Sequence, residues 1–82
     1  MNFAVVWDRI TAHAGQTFHT VTGLPFTYEV KGDAVYPSRT HYRLGRRDFE
    51  FAYQQMPVSG PGKWSATVRG ASYVYAILSR LA

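Results

Sequence analysis

FTYEVKGDAVYPS, residues 26–38, decides the fold. Phe26, Tyr28 and Val30 alternate with Thr27, Glu29 and Lys31, the two-residue period of a half-buried strand. Gly32-Asp33 then makes a two-residue turn with glycine first, as a type II′ hairpin requires. That turn pairs Lys31 with Ala34, Val30 with Val35 and Glu29 with Tyr36. Val30 and Val35 then share one face of an antiparallel ladder. Tyr36-Pro37-Ser38 ends the second strand.

Upstream of the hairpin, TFHTVT (residues 17–22) is rich in β-branched and aromatic side chains and closes at Gly23-Leu24-Pro25. This is the expected third strand of a meander. Before it, Phe3, Val6, Trp7, Ile10 and Ala14 recur at three- and four-residue spacing, which predicts a helix over 3–14 with Gly15 beyond its end. Downstream, residues 41–44 extend briefly before Gly45. Phe49, Ala52, Tyr53 and Met56 make the apolar stripe of a helix over 46–56, and Pro57 stops it. VSGPG (58–62) reads as a loop and WSATVR (64–69) as a short strand. After Gly70, Val74, Ile77, Leu78 and Leu81 predict a closing helix. The expected architecture is a single α+β domain spanning 1–82: an N-terminal helix, a three-stranded antiparallel meander, and two helices packed on one face of the sheet.

Eighty-two residues bury only about 60 to 65% of their unfolded surface, so the core must be dense. With 46% apolar residues, including 2 Trp, 6 Tyr and 5 Phe, the chain can supply one. The absence of cysteine excludes disulfides and thiolate zinc sites, and agrees with a reducing cytoplasm. The N-terminus has no cationic region ahead of an apolar run, and no stretch approaches the ~20 apolar residues of a membrane span. The chain therefore reads as soluble.

Charge carries the functional information. Nine Lys and Arg against five Asp and Glu give a net charge of +4. Seven of the nine cations are arginine, whose planar fork fits phosphate and carboxylate better than a lysine ammonium does. Four of them, Arg39, Arg43, Arg46 and Arg47, crowd into SRTHYRLGRRDFE (38–50) at the start of the second helix. A helix start favours anions, so cations there cost about 0.3 to 1 kcal/mol each. Asp48 and Glu50 offset part of this. Helix N–H groups, guanidinium forks and the hydroxyls of Ser38, Thr40 and Tyr42 together have the makings of a phosphate site. The structural alternative is a solvated loop whose arginines pair with Asp48, Glu50 or Glu29.

A second basic segment, SGPGKWSATVRG, contributes Lys63, Trp64 and Arg69. Its spacing departs from that of a P-loop, which argues against nucleotide hydrolysis. Trp64 offers a ring to stack on a base, or a core side chain. His13, His19 and His41 lack metal-ligand spacing, so no metal or other cofactor is expected. His41, between Arg39 and Arg43, is the one histidine placed for metal-free acid–base cleavage of RNA.

The expectation is a non-enzymatic nucleic-acid-binding module, with DNA favoured over RNA, acting as a regulator or accessory domain. Its contacts are Arg39, Thr40, His41, Tyr42, Arg43, Arg46, Arg47, Lys63, Trp64 and Arg69. A homodimer is compatible with so small a core. The rivals are a ribonuclease using His41 and a module that binds an acidic protein.

Overall fold

The computed structural model describes residues 2–64 and 68–82. Among these, helix α1 (Phe3–Ala12) leads into strands β1 (Phe18–His19), β2 (Pro25–Phe26), β3 (Tyr28–Lys31), β4 (Ala34–Pro37) and β5 (Leu44–Gly45), followed by helices α2 (Arg46–Gln55) and α3 (Ala71–Leu81). The fold is α+β, with an N-terminal helix, a three-stranded antiparallel sheet and two further helices.

The hairpin forms in the expected register, with Val30 opposite Val35 and Lys31 opposite Ala34. Gly32 takes a positive φ of 60° while Asp33 does not, as a II′ turn demands. Val35 is fully buried and Val30 half-buried, whereas Glu29, Lys31 and Tyr36 face outward.

The third strand is not the one the sequence suggests. TFHTVT yields only Phe18–His19, which pairs with Pro25–Phe26 in a separate two-stranded ladder. The cause is local. The Thr20 hydroxyl accepts a 3.1 Å hydrogen bond from Leu24 N–H, and Thr20 N–H reaches the Leu24 carbonyl at 3.0 Å. A threonine that offers the backbone a turn competes with strand continuation. The chain therefore reverses after His19, leaving Val21 and Leu24 exposed at the tip. Leu44–Gly45 takes the vacant place beside β4, with Ala34 opposite Gly45 and Val35 opposite Leu44.

One hydrophobic cluster unites the elements. Phe3, Val6, Trp7 and Ile10 of α1 meet Phe49 and Ala52 of α2 and Val74, Ile77, Leu78 and Leu81 of α3, over Phe18, Phe26, Tyr28, Val35 and Leu44. Tyr28 is 1% exposed and its hydroxyl donates a 2.6 Å hydrogen bond to the Ile10 carbonyl, fastening the hairpin to α1. Burial pushes its phenol up to about 12, against a smaller downward pull from Arg80.

The WSATVR segment differs from expectation where it is described. Trp64 closes a short 3₁₀ turn (Pro61–Trp64), Val68 lies in a bend, and residues 65–67 of the expected strand fall outside the described residues. Gly70 enters α3 in the left-handed region, at φ 68° and ψ 33°. A Cβ placed there would lie 2.7 Å from Leu44 Cδ2, so only glycine lets α3 start this close to β5.

Candidate nucleic-acid interface

The β4–β5 pairing delivers the chain directly into α2. Gly45 is both the last residue of β5 and the N-cap of α2, and it has no side chain to cap the helix. Arg46 N–H donates to the Asp33 carbonyl at 2.8 Å, pinning the helix start to the hairpin turn. A cleft of about 700 Å³ opens at this junction. It is lined by Asp33, Arg43, Gly45, Arg46, Arg47, Asp48 and Glu50.

Three of the four clustered arginines thus converge. Arg43 lies across the helix start, with Nη1 3.7 Å from where a Cβ would sit on Gly45. Arg47 is exposed on the first turn. Arg46 is half-buried, its guanidinium 5.7 Å from the Phe3 ring centre and 5.6 Å from that of Trp7. Stacking of this kind is worth about 0.5 to 2 kcal/mol, enough to offset the cost of a cation at a helix N-terminus. Arg46 is therefore explained by packing, and Arg43 and Arg47 are not. Arg39 goes elsewhere: its Nε donates to the Pro25 carbonyl, holding it beside β2 and outside the cleft.

The cleft is not uniformly basic. Asp33, Asp48 and Glu50 stand in its wall against Arg43, Arg46 and Arg47, three carboxylates to three guanidiniums. Yet among the described residues no ion pair joins them, and neither Arg43 nor Arg47 has a hydrogen-bond partner there. The carboxylate of Asp33 was not foreseen as a wall of this site. Its signal lay in the hairpin register, which sets the turn beside whatever pairs with Ala34.

Arg69 does not line the cleft and stacks instead on Tyr42. Its guanidinium lies over the Tyr42 ring at 5.2 Å, and that ring also flanks Gly70. Tyr42 is 44% exposed and its N–H donates to Thr40 Oγ1 at 3.2 Å, which shapes the segment leading to β5. His41 is exposed and makes no hydrogen bond among the described residues. Lys63 is exposed on the 3₁₀ turn and does not line the cleft. Trp64 is a correction: at 2% exposed and 5.9 Å from the Tyr75 ring, it belongs to the core, because the turn that carries it folds onto α3. It cannot offer a face to a base.

The other arginines serve the scaffold. Arg9 donates to the Leu81 carbonyl at 3.2 Å. Arg80 donates to the Thr17 carbonyl at 2.9 Å and covers the Phe18 ring at 4.5 Å. Arg80 lies in the last turn of α3 and Arg9 reaches that helix's terminal carbonyls from α1, where cations are favourable. No group of three or more His, Asp or Glu side chains among the described residues can hold a metal ion. No helix among them is long and apolar enough to cross a membrane.

Comparison of the chain with protein-family models, with curated proteins and with solved structures found no significant match.

Proposed function

We propose that this chain is a small nucleic-acid-binding module, with duplex DNA its preferred partner. The observation that carries this reading is a pair of guanidiniums, Arg43 and Arg47, gathered at an uncapped helix start and unpartnered among the described residues. An uncapped first turn presents N–H donors and a partial positive charge, and a phosphate satisfies both. Arg69, stacked on exposed Tyr42, is a further cation free to take an outer phosphate contact. Arg46 supports the geometry from beneath by stacking on α1. Phosphate contacts of this kind position a protein on a duplex and make its affinity strongly salt-dependent.

Fluorescence anisotropy with labelled duplex DNA, single-stranded DNA and RNA across a salt series tests the proposal. Duplex affinity should fall linearly on a log–log plot against salt. Substituting Arg43→Ala together with Arg47→Ala should flatten the slope by about two. Salt-independent binding, or no binding tighter than ~100 μM at low salt, contradicts it.

A further inference from the structure

Strand β1 has two edges, and β2 occupies only one of them. Thr20 N–H bonds the Leu24 carbonyl, so in an antiparallel ladder Phe18 bonds Phe26, while the backbone groups of Thr17, His19 and Pro25 point outward. Two outward carbonyls show this alternation directly. That of Pro25 accepts from Arg39 Nε, and that of Thr17 from Arg80 Nη1 at 2.9 Å. His19 N–H and C=O follow Thr17 on the outer edge of β1, and neither has a hydrogen-bond partner among the described residues.

A groove of about 360 Å³ lies between this edge and the second half of α3. Its lining joins the buried Phe18 and Ala76 to the exposed Val21, Ser79 and Arg80. It shares no residue with the cleft at α2, and it differs from that cleft in charge: no carboxylate among the described residues lines it, whereas Arg80 does. The Thr17 carbonyl and the Phe18 ring, 4.5 Å away, fix the Arg80 guanidinium in place. The carbonyl engages one of five N–H donors, so a fork remains for an anion.

We propose that this groove binds the C-terminal segment of a partner protein, extended and antiparallel to β1, with an apolar last residue and its free carboxylate on Arg80. The penultimate residue, opposite His19, exchanges both backbone hydrogen bonds with it. The last residue then lies opposite Phe18 and shares its face of the ladder, so its side chain points toward Ala76 and Tyr75 and is apolar. The chain ends beside Thr17, where Arg80 stands. A helix C-terminus disfavours an anion, and the guanidinium in this last turn is what admits one.

The test uses fluorescein-labelled synthetic hexapeptides of β-branched sequence, made with different last residues, each as the free acid and as the C-terminal amide. In anisotropy titrations, acids ending in valine or leucine should bind, with their amides, and acids ending in aspartate, at least about tenfold weaker. The His19 amide should slow in hydrogen exchange when the acid is added. Arg80→Gln keeps a donor for the Thr17 carbonyl but removes the charge, and should abolish the preference for acid over amide. Ser79 is exposed, so Ser79→Trp fills the groove without touching the core and should abolish binding at an unchanged urea midpoint. Equal binding of acid and amide, or no binding tighter than ~1 mM, overturns the proposal. So does binding that leaves the His19 amide unprotected or survives Ser79→Trp. None of these results bears on the nucleic-acid reading, since Arg43 and Arg47 lie outside this groove.

Discussion

Replacing Gly70 by alanine should be among the most damaging single-methyl additions this chain can receive. Two costs add. The residue sits in the left-handed region, which costs a non-glycine residue about 1 to 2 kcal/mol. The new Cβ would also stand 2.7 Å from Leu44 Cδ2 and 3.5 Å from Leu44 Cδ1. A leucine tip on the surface would swing aside cheaply. Leu44 is fully buried, so it can move only by disturbing its neighbours, and overpacking of that kind costs about 1 to 3 kcal/mol. The expected loss is about 2 to 5 kcal/mol. Total stability for 82 residues is roughly 4 to 12 kcal/mol, so the variant is near its folding limit. Gly15→Ala is the reference. Gly15 also has positive φ, at 89°, but a Cβ there meets nothing within 4 Å, so only the backbone cost applies. Urea denaturation of both variants isolates the packing cost as the difference between them. Leu44→Ala, made in the Gly70→Ala background, should cost less than it does alone, because it vacates the contested space. Equal losses for Gly70→Ala and Gly15→Ala would refute the reasoning. So would full additivity of the Gly70 and Leu44 changes.

Further outcomes follow from Tyr28, Arg46 and the cleft. Folding holds the Tyr28 phenol protonated up to about 12, above its ordinary value of 10.0. The unfolded chain thus releases this proton first as pH rises. The contribution is intact below pH ~10 and is lost between about 10 and 12, by about 1.4 kcal/mol at pH ~11. Tyr28→Phe should remove that part of the alkaline decline in urea midpoints, and cost about 1 kcal/mol at neutral pH through the lost bond to the Ile10 carbonyl. A Tyr28→Phe variant with the same alkaline profile as the parent would contradict this assignment. Arg46→Ala should lower stability by about 0.5 to 2 kcal/mol, since it uncovers the Phe3 and Trp7 rings. Arg47→Ala, with no ring beneath it among the described contacts, should leave stability within about 0.5 kcal/mol while weakening DNA binding. The reverse pattern would show that the two arginines have exchanged roles.

Local chemistry made the hairpin legible. Glycine first in a two-residue turn admits one twist, and the twist fixes the register of every pair behind it. The three helices were equally readable, because apolar stripes at three- and four-residue spacing can be buried only one way. Where the chain had two local options, the pattern misled. TFHTVT has the composition of a strand, but Thr20 bonds Leu24 in a turn that begins inside it, so β5 completes the sheet. Trp64 is another case: its identity suits either stacking or burial, and the fold of the 3₁₀ turn onto α3 settled it as core.

The crowding of arginine before α2 was plain in the sequence, but spacing along a chain does not say which side chains share a space. Long-range contacts made that selection. The Pro25 carbonyl drew Arg39 away, the rings of α1 took Arg46, and the left-handed Gly70 brought Arg69 alongside Tyr42. The hairpin turn set Asp33 in one cleft with Arg43 and Arg47 through its backbone bond to Arg46, well beyond the reach of local sequence. Residue types and their periodicity determined the elements and their buried faces, since those depend on neighbours within a few residues. The charges that meet in the cleft depended on which elements pack together, and only the tertiary structure decides that.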